Sequence, residues 1–544
     1  MAARDGAFDV IVAGGGPAGA VMAWALARNG VRVLVVERAR FPREKVCGDY
    51  VEPRGLRIIG AMGALERLES GRPLPIDRVG MWVEWAPRYA GQIPFYGRHD
   101  DLPPHGYIVP RDALDTVLLE AAERAGAQVE QEAAATAVRI GPEGVEVVSR
   151  HGRREQARRA RLVVGADGVN SVVARAAGLL VDDERYIAVA RRAYAVGADG
   201  DIGEAIFCFD RDLFPGYGWA FPMSGGRLNV GVGILAEARH RFDLQLPHLF
   251  DAFVDGLRRH HPRLRHLELV APPIGGIVKT YGGAGVNHFD GGVLIGDAGS
   301  FVDPMTGEGI TPGMESALLA APVLVDALAS GRTRADALAP YEAAFRGYFD
   351  PGMRLLTYTA SVLRNRHMAE PWLTAFGRGC ELATSDPAFA LTSGGVFGGL
   401  DLRPLGVLAQ MTARVGRELA LAWPRFIGRV AGGGSDGLTV TDLVDWQAAW
   451  WRSLRDDPFW HARWSLDVQR EGMRLLSGLS DGGEDPRLAG PPALRNLAVT
   501  GSSTRTGGRA RADDKARAGG RVSPSRARRA SGAASARRSS GARR

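Results

Sequence analysis

Cysteine is scarce, with three residues (Cys47, Cys208 and Cys380) in a chain of 544. So few thiols exclude a disulfide-built scaffold and suit a reducing, cytoplasmic setting. They also rule out a four-cysteine iron–sulfur cluster. No run of about eighteen uninterrupted apolar residues exists, so no transmembrane helix is expected. An acidic residue precedes the first apolar run, which argues against a secretory leader. Neither a Ser-His-Asp arrangement nor a metal-ligand spacing stands out, so hydrolysis and a metal site are not expected. The net charge of +7 is not spread along the chain. Residues 501–544 carry 13 basic and 2 acidic side chains, a balance of +11, which leaves −4 for the rest. That tail has almost no large apolar residues and is expected to be disordered. It suits either peripheral contact with an anionic membrane on its inner face or no specific partner. The composition favours the second reading, and no specific nucleic-acid partner is expected.

Glycine, by contrast, is abundant and placed. The segment FDVIVAGGGPAGAVMAWALARNGVRVLVVER reads as strand, glycine turn, helix and strand. Gly14, Gly16 and Gly19 have the spacing that permits a tight turn, close approach to a pyrophosphate and packing of the helix on the sheet. Pro17 and Ala18 open the helix, whose free amides and positive dipole end suit phosphate. Glu37 and Arg38 follow the second strand, where a carboxylate can accept from ribose hydroxyls. Two later strand-to-helix turns repeat the theme, at Asp167 and Gly168 and at Gly296 and Asp297. The latter leads into DPMTGEGI.

Together these three turns resemble the FAD-binding marks of the para-hydroxybenzoate hydroxylase-like flavoprotein superfamily. The resemblance implies that Asp297 touches the ribityl chain and that Pro304, Gly307, Gly309 and Ile310 run beside the isoalloxazine. It also implies that Arg111, entering an amphipathic helix, contacts the cofactor. The stretch FPREKVCGDY then narrows the likeness to the geranylgeranyl reductase family, whose members reduce isolated double bonds of isoprenoid chains. It places Cys47 and Gly48 against the flavin. Tyr217, Trp219 and Phe221, in YGWAFP, are similar to that family's substrate-domain signature. Aromatic side chains there offer apolar area to a polyprene; plain core packing is the bland reading. Cys47 is a candidate proton donor to the second alkene carbon, or else a small buried apolar residue.

The expected fold is α/β. A Rossmann-type FAD-binding domain spans 1–75, 105–180 and 282–348, and an interleaved antiparallel substrate domain spans 76–104 and 181–281. A helical extension over 349–479 and a disordered basic tail over 480–544 follow. Seven of the eleven tryptophans fall in that extension, and Leu443, Trp446, Trp450 and Leu454 recur at helical spacing. The expected function is FAD-dependent reduction of isoprenoid double bonds on a lipid, quinone or terpenoid. NADPH or a reduced ferredoxin would supply electrons, and nothing in the residues fixes the oligomeric state. An FAD-dependent monooxygenase is the alternative, since fold alone does not choose. A halogenase or a non-catalytic flavin-binding partner protein stands further off.

Overall fold

The computed structural model describes residues 8–92, 102–387, 390, 440–477 and 490–494. Its first layer is an eight-stranded sheet. Phe8–Ala13 lies at the centre, parallel to Arg154–Gly165 on one side and to Val33–Val36 on the other. Gly292–Leu294 and Gln128–Glu130 extend the parallel set outward. Val10, Ile11, Val12 and Ala13 are fully buried, because both faces of the sheet are covered and this part of the strand is apolar. The helices Pro17–Arg28, Arg111–Arg124 and Ile310–Ser330 cover the face of Val10 and Val12, and the face of Ile11 and Ala13 packs against Ala133, Val145 and Val147 of a β-hairpin and Val173 of the short helix Val172–Ala176. The hairpin Ala133–Gly141 and Gly144–His151 adds antiparallel strands to the same sheet.

A second eight-stranded sheet is almost wholly antiparallel. Its order runs Glu268–Leu269, Ile187–Val196, Arg227–Leu235, Tyr217–Met223, Ala205–Phe209, Arg78–Val83 and Ala86–Gln92, with Ile274–Lys279 also paired to Ile187–Val196. The one parallel pair joins Ala205–Phe209 to Arg78–Val83. Helix Leu246–His260 packs Phe250 and Phe253, both fully buried, on one face of this sheet. A small sheet of Tyr50–Val51, Gly106–Ile108 and Leu74–Ile76 stands apart from the two larger ones.

Two borders differ from expectation. The division at 348/349 falls inside one helix, Pro340–Leu363. Its Pro351 reads as a breaker, but buried Tyr348, Phe349 and Leu355 hold both halves to one core. The expected disordered tail from 480 contains an anchored piece, Gly490–Leu494. Leu494 is buried in the main core cluster, with Ala493 beside it. Glycine and proline around this short apolar anchor conceal it in the composition. The remainder of the tail, residues 93–101, and all of 388–439 except Ala390 lie outside the described residues, as do the side chains of Leu443 and Trp446. Ile310–Ser330 has the length and apolarity of a membrane span, but most of it is buried inside the fold.

Candidate active site

One cavity runs along the carboxyl ends of the parallel strands and onto the antiparallel sheet. At its polar end, the turn after Phe8–Ala13 is shaped by glycine. Gly14 has φ +101°, and a β-carbon there would overlap the Ala166 carbonyl; only glycine lets the two strand-end turns meet. A side chain at Gly16 would meet only the Arg43 guanidinium, 3.7 Å away. Gly16 caps the Pro17–Arg28 helix without any side-chain hydrogen bond, so its first amides stay open. Arg43 Nη1 is buried and without a partner. An open helix N-terminus, an orphaned buried guanidinium nitrogen and space for close approach fit a pyrophosphate.

Glu37 takes a part the sequence does not show. Its two carboxylate oxygens accept from the Gly15 amide at 2.7 Å and the Ala39 amide at 2.8 Å, which pins the turn. Asp167 caps the next helix, accepting from Ser171 Oγ and the Val172 amide, while its neighbours Ala166 and Gly168 face the cavity. Arg38 is exposed and does not line the cavity. The Asp167 carboxylate is engaged by its own helix, and the Arg38 guanidinium stands in solvent. Asp297 lines the cavity, with Lys45 Nζ 3.5 Å away. Gly296 and the Pro304, Gly307, Gly309 and Ile310 loop line it too.

Glu308, between those glycines, accepts from the Thr311 amide at 2.8 Å and so caps the Ile310–Ser330 helix. Burial, reinforced by the Glu52 carboxylate, drives Glu308 well above the ordinary carboxyl range. Glu52 is pushed up to about 7 by burial, against the pull of Arg54. Arg54 binds Glu315 at 2.7 Å and Glu52 at 2.8 Å, and Tyr348 also donates to Glu315 at 2.8 Å.

Cys47 lies midway along the cavity. Burial raises the thiol above its ordinary value, opposed by the positive charge of the nearby Arg111 guanidinium. Arg111 is oriented by two 2.8 Å bonds to Asp115, which also holds Arg43 at 2.8 Å. Beside the thiol is a polar knot. Asn229 Nδ2 donates to the Cys47 carbonyl and to Asp49, each at 2.8 Å, while its Oδ1 accepts from Trp219 Nε1 at 2.9 Å. Tyr194 also donates to Asp49, at 2.7 Å. Asp49 is fully buried, and burial raises it to about 6 despite these donors and nearby Arg192. Tyr194, Arg192 and Asn229 go unnoticed in the sequence, where Asp49 stands only as the acid of the Cys-Gly-Asp stretch. The signal for Asn229 was a polar residue inside the strand RLNVGVGIL, which is otherwise apolar after Arg227.

Beyond the thiol the cavity turns aromatic. Tyr217, Trp219 and Phe221 alternate on one strand and all line it. Gly48 lies against this wall: a β-carbon there would be 3.3 Å from Phe221. Phe207 and Phe209 on the adjacent strand complete the surface, with Phe207 5.1 Å from Phe221 by ring centroid. Phe209 passes contact on to Trp372 at 5.6 Å. The Tyr217 hydroxyl donates to the Thr306 carbonyl, which joins the wall to the glycine-rich loop.

Comparison with known proteins now bears on this geometry. Residues 7–202 match the FAD binding domain model. Menaquinone reductase of Mycobacterium tuberculosis is 36% identical over 334 residues, covering 59% of this chain and 77% of that one. Digeranylgeranylglycerophospholipid reductase 2 of Methanopyrus kandleri is 32% identical over 351 residues, covering 62% and 81%. The chain belongs to the geranylgeranyl reductase family. It is an FAD-dependent oxidoreductase. A geranylgeranyl bacteriochlorophyll reductase-like protein of Thermoplasma acidophilum shares the family fold, with a TM-score of 0.63 at 24% identity over 76% of this chain and 99% of that one. In this family member the cavity joins a dinucleotide-shaped end to an aromatic one.

Proposed function

We propose that this chain reduces isolated carbon–carbon double bonds in an isoprenoid chain carried by a lipid, quinone or terpenoid. The observation that carries the reading is the continuity of one cavity. It passes from the open helix N-terminus at Gly16, by the Cys47 thiol, to the wall of Tyr217, Trp219 and Phe221. A prenyl chain has no polar handle, so apolar area and shape must orient it. The two relatives are named for a menaquinone and for a digeranylgeranyl glycerophospholipid. Such substrates suit this wall.

FAD, when bound and reduced, supplies the hydride. Gly14, Gly16, Pro17, Ala18 and Gly19 form the pyrophosphate seat, with Glu37 fixing the turn and Arg43 offering its free nitrogen. Asp297 would hold the ribityl chain, and the Pro304–Ile310 loop would lie beside the ring system. The aromatic wall presents the alkene. Cys47, kept protonated by burial, gives its proton to the second carbon, and Arg111 holds the resulting thiolate until solvent returns a proton. NADPH or a reduced ferredoxin restores the cofactor. The reaction takes place in the cytoplasm, at the inner face of the membrane.

The test is mass spectrometry after anaerobic chemical reduction of the FAD-loaded protein and addition of geranylgeranylated lipid or menaquinone. A gain of two hydrogens per double bond is expected. No anaerobic product, with one added oxygen once air is admitted, would overturn the reading in favour of a monooxygenase.

A further inference from the structure

The helices Val440–Asp456 and Pro458–Ser477 have an outward face that no step of the proposed chemistry uses. Among the described residues nine large hydrophobic side chains are exposed, and five of them stand here: Trp451, Phe459, Leu466, Met473 and Leu476. Phe459 is 87% exposed. Phe459, Leu466 and Met473 recur every seven residues and so form one stripe along the second helix. The opposite side of that helix buries His461, Asp467, Glu471 and Leu475.

Charge is sorted across the same helix. Arg463, Arg470 and Arg474 flank the stripe and are exposed, as are Arg452 and Arg455 beside Trp451. The acids Asp467 and Glu471 are buried: Asp467 meets Arg185 at 2.7 Å and Arg470 at 3.2 Å, and Glu471 accepts from Tyr186 at 2.9 Å and meets Arg474 at 2.8 Å. Asp457, partly exposed, meets Arg241 at 3.0 Å, and Arg455 meets Asp456 at 3.1 Å. Asp456 is the one exposed acid among the described side chains of the two helices. A protruding apolar stripe with a basic rim is complementary to an anionic bilayer surface. It is poorly suited to a second copy of this chain, because a two-fold pairing through the stripe would set arginine rim against arginine rim.

We propose that this face seats the protein on an anionic lipid surface, with Phe459, Leu466 and Met473 entering the acyl boundary and the arginines contacting headgroups. The seat lies one helix from the candidate active site. Trp464 Nε1 donates to the Ser361 carbonyl at 2.9 Å, and neighbouring Ala360 and Leu363 line the cavity. An apolar chain leaving the bilayer there has a short route inward. This purpose rests on the isoprenoid reading above; the lipid contact itself does not, and it is measured without turnover.

The experiment is vesicle flotation of the full FAD-loaded chain, with phosphatidylcholine alone or mixed with phosphatidylglycerol, at low salt and at 0.5 M NaCl. High salt screens the basic tail, so binding that survives reports the apolar stripe. The wild type is expected to float with mixed vesicles under both conditions. The triple variant Phe459→Ser, Leu466→Ser, Met473→Gln is expected to lose at least tenfold in vesicle affinity at 0.5 M NaCl. Its FAD content, melting temperature and turnover of a detergent-dispersed short prenyl substrate should remain unchanged. Equal flotation of the variant, or no flotation of the wild type, would overturn the proposal. So would a wild-type dimer that the triple substitution makes monomeric without any vesicle binding. A wild type that floats, a variant that does not, and no reduction of the prenyl substrate by either would count against the isoprenoid reading alone.

Discussion

Replacing Asp49 by Asn should stabilise the protein at neutral pH, and the gain should shrink in acid. Asp49 is fully buried, and its ionised form is disfavoured by burial, which raises it from 3.8 to about 6. The unfolded chain therefore releases the proton at lower pH than the folded one. Between about pH 4 and pH 6 the folded state binds more protons, so stability falls as pH rises through this window and then levels off. The penalty is about 2 kcal/mol at pH 5 and about 3 kcal/mol at pH 7.5. Asn keeps an oxygen for Tyr194 and Asn229, and its amide takes the place of Oδ1, which has no partner. Asn also tolerates the positive φ of 63° found here. The assay is urea unfolding of both proteins at pH 5 and pH 7.5, read as a double difference so that every other titrating group cancels. Asp49→Asn should gain about 1 kcal/mol more at the higher pH. A variant less stable than wild type at both pH values, or a difference that does not change with pH, would refute the reasoning.

Cys47→Ser should lower prenyl turnover on the order of a hundredfold while FAD remains bound; single-turnover rates and the flavin-to-protein ratio check both halves. Gly14→Ala places a β-carbon on the Ala166 carbonyl at a φ of +101°. It should purify with little FAD and be destabilised by about 1–3 kcal/mol, read from flavin absorbance and thermal melting. Arg54→Met leaves Glu52 and Glu315 buried without their cation and should cost about 3–5 kcal/mol in urea unfolding; a midpoint equal to wild type would contradict the buried pairing.

The glycine turn is legible in sequence because its constraint is local: Gly14, Gly16 and Gly19 lie within six residues, and each answers one steric demand. The aromatic wall is half legible. Tyr217, Trp219 and Phe221 sit two apart on one strand and must share a face, whereas Phe207 comes from the next strand and meets Trp219 only through their register. The Asp49 knot is not legible. Its partners Tyr194 and Asn229 are about 145 and 180 residues away, and a buried acid in CGDY reads like any exposed one. Composition fails differently at Gly490–Leu494, where four residues of proline, alanine and leucine outweigh the glycine-rich surroundings by docking in a core.

Asn229 has a consequence for the product. One side chain holds the Trp219 indole and the Cys47 carbonyl, while Tyr217 ties the same wall to the loop at Thr306. The thiol, the wall and the ring-bearing loop thus share one frame, and none can turn without the others. On the proposed chemistry, hydride and proton reach a methyl-branched alkene from two fixed bearings. Such an addition leaves a single handedness at each new branched carbon, set by an asparagine that touches neither hydrogen.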